Sequence, residues 1–208
     1  MTESLRFVQK RAAVADLPAG IAVRYEVCPE QDGDMQEPRF VFDLPKAHLG
    51  NGAHCRRADG AAFEVTWSAR EPGTWRLKES SGDLVAVASR RGALKSGIRL
   101  TGARGDTLAE FVDPAGLSEQ ILRSALSSGN DTYVCLAGGK PVARLARLPR
   151  GGERPSGMLG RLKGLLATFD WVLVPQDGAT ACLREEVEPL PLCFAALVAI
   201  VDLEFAGA

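Results

Sequence analysis

Between Leu190 and Val201 the chain carries no charged residue, and the stretch around it, Pro189–Phe205, reads PLPLCFAALVAIVDLEF. Nothing else in the sequence constrains the fold as strongly. Pro189 and Pro191 stand where a helix can begin, because a proline in the first turn sacrifices no helical hydrogen bond. Ala195, Ala196 and Ala199 favour helix. A run this long outweighs the mild strand preference of Val198, Ile200 and Val201. Leu192, Phe194, Leu197, Val198, Ile200, Val201 and Leu203 cover every face rather than one stripe, so the helix must be surrounded by protein or by lipid. A membrane span needs about 20 apolar residues. This run is shorter, and Asp202 and Glu204 follow it without a basic flank. A helix over residues 189–206, buried in protein, is therefore expected, with a transmembrane helix the disfavoured alternative. Each large side chain moved inside contributes about 1.5–3 kcal/mol, but only if the rest of the chain forms a wall around it.

That remainder reads as short strands separated by turn residues. Ile21 to Val27 alternates apolar and polar, Phe63, Val65 and Trp67 share a face, and Glu71-Pro72-Gly73-Thr74 leads into Trp75 and Leu77. Ser80-Ser81-Gly82-Asp83, Arg104-Gly105-Asp106 and Gly138-Gly139 punctuate further pairs, which is the pattern of consecutive hairpins. Glu30 to Glu37 reads as an acidic loop, and His48 to Cys55 as a glycine-rich loop. Ser118 to Ser128 has helical period, and a last strand is expected over Ala181–Val187. The count is about twelve strands. Many antiparallel strands and one fully apolar helix have a natural solution: a mainly β fold in which the sheet closes into an antiparallel barrel around the helix, which also removes exposed strand edges. One domain spanning residues 1–208 is expected, with residues 1–38 either adding strands or covering one end.

The closing Pro189-Leu190-Pro191-Leu192 into CFAALVAIVDL, the repeated unit in TWRLKESSGDLVAV and TYVCLAGGKPVARL, and the order of strands first and apolar helix last are similar to the tubby-like superfamily, which includes the phospholipid scramblases and the LURP-one-related proteins. The resemblance spans roughly residues 39–206. It implies a twelve-stranded barrel around a central helix. It also implies a binding rather than a catalytic role, since tubby domains bind phosphoinositides and scramblases associate with membranes and calcium. The chain departs from the scramblases in lacking their proline-rich N-terminal extension and cysteine cluster, which argues against lipid translocation.

Charge is unevenly spread. Net charge is −1, so nothing global points to nucleic acid, but residues 86–165 carry 13 Lys/Arg against 6 Asp/Glu, and residues 166–208 carry 1 against 7. The basic middle either neutralises the acidic end or meets an anionic surface. Within it, Arg90, Arg91, Lys95 and Arg99 cluster around Gly92 and Gly97, where a phosphate group could be held. Met158, Leu162, Leu165, Leu166 and Phe169 share a helical face beside Arg161 and Lys163, as in a helix lying on an anionic membrane or packed on the barrel.

Catalytic signatures are missing. Gly139-Lys140 is no phosphate loop, because Val134 stands at the required first glycine and Pro141 follows the lysine. Gly50-Asn51-Gly52 lacks the third glycine of a dinucleotide site, and no G-x-S-x-G occurs. His48, His54 and Cys55 could donate metal ligands or form a Cys–His pair, but a surface loop is the favoured account. Five cysteines at wide spacing, with no signal peptide, suggest reduced thiols in a cytoplasmic protein. The expected function is therefore a non-enzymatic binding module, without cofactor or metal, engaging anionic phospholipid head groups through Arg90, Arg91, Lys95, Arg99, Arg161 and Lys163. The alternatives are a soluble structural or regulatory protein acting through a protein partner and, less favoured, an enzyme or metal site at the His48–Cys55 loop.

Overall fold

The computed structural model describes residues 3–12, 15–31, 33–46, 52–91, 97–114, 132–148, 170–176 and 189–205. Thirteen strands precede one helix among them: β1 (Ser4–Arg11), β2 (Val23–Gln31), β3 (Asp34–Met35), β4 (Phe40–Leu44), β5 (Ala53–Arg57), β6 (Ala62–Trp67), β7 (Thr74–Glu79), β8 (Leu84–Arg90), β9 (Gly97–Gly102), β10 (Thr107–Val112), β11 (Thr132–Ala137), β12 (Lys140–Leu148), β13 (Asp170–Pro175) and α1 (Pro189–Phe205). From β4 to β13 each strand pairs antiparallel with the next. β2 pairs with β4, and β1 pairs with both β2 and β13. The sheet thus closes into a barrel of twelve staves, with β3 a two-residue return strand on the end of β2. Residues 4–31 supply two of the staves.

Alternation along the strands decides what faces in. Val23, Tyr25 and Val27 of β2, Phe40, Phe42 and Leu44 of β4, and Ile98 and Leu100 of β9 are buried, and the residues between them point outward. The helix fills the interior. Its side chains from Leu190 to Val201, apart from Pro191, all belong to one core with the strands, and none of these is more than 5% exposed. A helix apolar on every face is stable here because the barrel supplies protein on every side.

The lining is not symmetric. The helix lies closest to β7, β8, β9 and β10, where Ala86, Ala88 and Ala109 face inward. The far wall carries Phe7, Tyr25, Phe42 and Trp171, all buried. Where the alanines stand the helix backbone can approach the wall, and the buried rings, Trp75 and Phe111 on the near strands as well as those of the far wall, fill the remaining space.

The two ends of the barrel differ. At one end the hairpins β5–β6, β7–β8, β9–β10 and β11–β12 turn tightly. Gly138 and Gly139 both have positive φ, 55° and 77°, as a two-residue hairpin of this hand requires and as only glycine adopts without strain. At the other end the connections are longer, as in residues 68–73 between β6 and β7.

Two readings of the sequence are corrected. Residues 53–57 are strand β5 rather than part of a glycine-rich loop. Their signal is weak because Ala53 and Cys55, the inward residues, are small, and Gly50 and Gly52 precede them. The acidic loop is instead a hairpin, in which Glu30 and Gln31 extend β2 and pair with Met35 and Asp34. The helix expected over 118–128, the amphipathic segment 158–169 and the strand expected over 181–187 lie outside the described residues. No helix among the described residues is long and apolar enough to cross a membrane.

Candidate functional site

Three of the six basic residues singled out in the sequence lie together at the long-connection end of the barrel. Lys95, Arg161 and Lys163 lie outside the described residues. Arg90 closes β8, in register with the inward-facing Ile98 of β9. At the end of its strand it is exposed, and its guanidinium lies 5.8 Å from the ring centroid of Trp75. Its N–H donates to the Gly73 carbonyl at 2.8 Å. A side chain at Gly73 would meet the Arg90 stem at 3.1–3.3 Å. Turn, arginine and tryptophan are thus packed as one unit at the barrel mouth, with a cation–π contribution.

Arg91 and Arg99 belong to the outer wall. The Arg91 N–H donates to the Gly97 carbonyl at 2.9 Å, which carries the β8–β9 ladder one residue further. Arg99 stands on β9 directly across from Ser89 on one side and Glu110 of β10 on the other. Both guanidinium groups converge on Glu110: Arg99 Nε donates to Oε1 at 2.9 Å, and Arg91 Nη1 lies 3.2 Å from Oε2. The structure therefore splits the predicted cluster. Arg91 and Arg99 share a carboxylate on the wall, and Arg90 turns toward the mouth.

Glu110 is the residue that reading the sequence missed. Hairpin counting about Arg104-Gly105-Asp106 could have placed it opposite Arg99, except that the register shifts by one residue between Thr107 and Ala109. A second network was also missed, because it needs β2 and β4 to be neighbours and β5 to be a strand. Asp43 holds Arg24 through Nε at 2.6 Å and Nη2 at 3.1 Å, and Arg56 at 3.1 Å. The Arg24 pKa is raised, first by that hydrogen bond.

The described part of the His48–Cys55 stretch does not form a reactive pair. His54 and Cys55 are consecutive on β5, so His54 points outward while Cys55 is fully buried in the core. Burial, and next the neighbouring Cys193, push the Cys55 pKa far up, whereas a nucleophilic or ligating thiol needs the reverse. No group of three metal-ligating side chains occurs among the described residues; His48 lies outside them. The described cysteines, Cys28, Cys55, Cys135 and Cys193, are free and buried. Burial pushes Cys135 and Cys193 up to about 12.

On the outer wall, Val134, Leu136, Pro141, Ala146 and Val174 line a largely apolar depression of about 890 Å³, with Arg144 at its side. Val174 is 41% exposed. Compared with known proteins, the chain matches no family model, no curated protein and no solved structure.

Proposed function

We propose that the chain is a non-enzymatic binding module of the tubby-like kind, and that its ligand is the anionic head group of phospholipids at a membrane surface. The observation that carries this is the rim at the end of β8: Arg91 and Arg99 on one carboxylate, Arg90 next to Arg91 in the chain and over Trp75, with Arg90 and Arg99 exposed. Arginine is suited to phosphate because its planar fork donates two hydrogen bonds at once. The contact with Trp75 restrains Arg90 before a ligand arrives, which lowers the ordering cost of binding. A binding rather than a catalytic role is supported by an interior packed with α1 and by buried thiols with raised pKa values. A closed barrel with the apolar helix last is the arrangement that the tubby-like resemblance implies. Reduced cysteines fit a cytoplasmic setting, where anionic lipid faces the protein.

Co-sedimentation with vesicles tests this. The chain is expected to bind vesicles containing phosphatidylserine and not phosphatidylcholine alone, with binding that weakens as salt rises. Arg90→Glu with Arg91→Glu is expected to abolish it. Binding unchanged by that pair, or indifferent to lipid charge, refutes the proposal. The apolar depression around Val174 favours a second reading, a module that acts through a protein partner, and this reading expects no vesicle affinity at all.

A further inference from the structure

We infer that Glu110 is a resident competitor for the oxyanion bound at this rim, a role that rests on the binding proposed above and sets its affinity. The carboxylate engages Arg99 through one oxygen and Arg91 through the other, as two oxygens of a phosphate would. Register holds it there. Glu110 is paired directly with Arg99 across β9–β10, and Arg91 is anchored through its N–H to the first residue of β9. A tethered carboxylate competes at an effective concentration of at least the order of millimolar. The side chains of Arg91 and Glu110 are each only 19% exposed, so their attraction is less screened than that of a fully solvated pair. Arg99, 48% exposed, is the arm that an arriving anion reaches first. Wild-type affinity is therefore held down, and loss of the Glu110 charge releases two guanidinium groups together.

The test is vesicle co-sedimentation of the full chain as wild type, Glu110→Gln and Glu64→Gln. Glu64 is an exposed carboxylate on β6, opposite His54 and Lys78, so its loss makes the same change in net charge elsewhere on the wall. Glu110→Gln is expected to bind phosphatidylserine vesicles roughly fivefold more tightly than wild type, the effect of one further cation at an anionic surface. Glu64→Gln is expected to change little. Arg99→Gln is expected to weaken Glu110→Gln by roughly fivefold and wild type much less, because in wild type Glu110 already occupies that arginine. A thermal melt with inorganic phosphate in place of vesicles distinguishes the sources of the oxyanion. A larger rise for Glu110→Gln than for wild type supports a clamp that also takes the free ion, and a gain confined to vesicles supports it with lipid as the source. Equal gains from Glu110→Gln and Glu64→Gln, or equal costs of Arg99→Gln in the two backgrounds, overturn the role of Glu110 while leaving the binding proposal standing. No binding of wild type or Glu110→Gln to anionic vesicles overturns both.

Discussion

At the scale of single residues, the interior thiols couple stability to alkaline pH. Cys55, Cys135 and Cys193 are completely buried, and their folded pKa values lie above the ordinary value of 9.0 because the thiolate is poorly solvated inside. Between the unfolded and folded values the native state holds more protons. The contribution is therefore fully present below about pH 9 and is lost as pH rises toward the folded values. Urea unfolding at about pH 8 and about pH 10 is expected to show a fall in stability of about 1 kcal/mol per buried thiol. Cys135→Ala is expected to reduce that fall by one thiol's share. An equal fall in the variant would show that Cys135 has no part in it. Gly97 illustrates a different constraint. A Cβ there would lie 2.3 Å from the Phe111 carbonyl oxygen, so the start of β9 beside the arginine rim depends on the absence of a side chain.

At the scale of elements, the position of α1 inside the barrel depends on small residues in β8 and β10. Ala88 faces the core and Val87, one residue earlier, faces outward. Ala88→Leu is expected to cost about 1–3 kcal/mol by overpacking, and Val87→Leu about 0.5 kcal/mol or less. Denaturant midpoints of the two variants check this. Similar costs would mean that the helix does not rest closely on that wall. The presence of β8 after the Ser80–Asp83 turn and the length of α1 were legible in the sequence, because both are local properties of consecutive residues; which face of β8 is interior was not, because Leu84 to Ala88 is apolar throughout. β5 was not, because Ala53 and Cys55 carry little strand signal and owe their burial to the neighbours β4 and β6.

At the scale of the whole molecule, β1 is the stave that closes the barrel. It pairs with β2 over eight residues and with β13 over three. Arg6 lies 3.5 Å from Asp170 and 3.8 Å from Glu30, and Lys10 reaches Glu26 at 2.6 Å. Removing residues 1–11 deletes Phe7 and Gln9 from the interior and leaves β2 and β13 with open edges, which are templates for intermolecular pairing. The truncated chain is expected to aggregate or to bind a hydrophobic dye strongly. A monodisperse product that unfolds cooperatively would show that β2 and β13 can close without β1.

The sequence by itself determined that the last helix is interior, that the rest is strands of period two joined by tight turns, and that a closed barrel of about twelve strands reconciles the two. These follow from the hydrophobic pattern and the conformational limits of glycine and proline, which act over a few residues. It also singled out Arg90, Arg91 and Arg99 by composition. Only the tertiary structure decided that Arg91 and Arg99 meet at Glu110 while Arg90 lies over Trp75, that Asp43 gathers Arg24 and Arg56, and that β1 joins the two ends of the sheet. Each of these depends on register between strands. Register is set by all the pairings of a closed sheet together, and a shift of one residue, as at Thr107–Ala109, exchanges which side chains are neighbours.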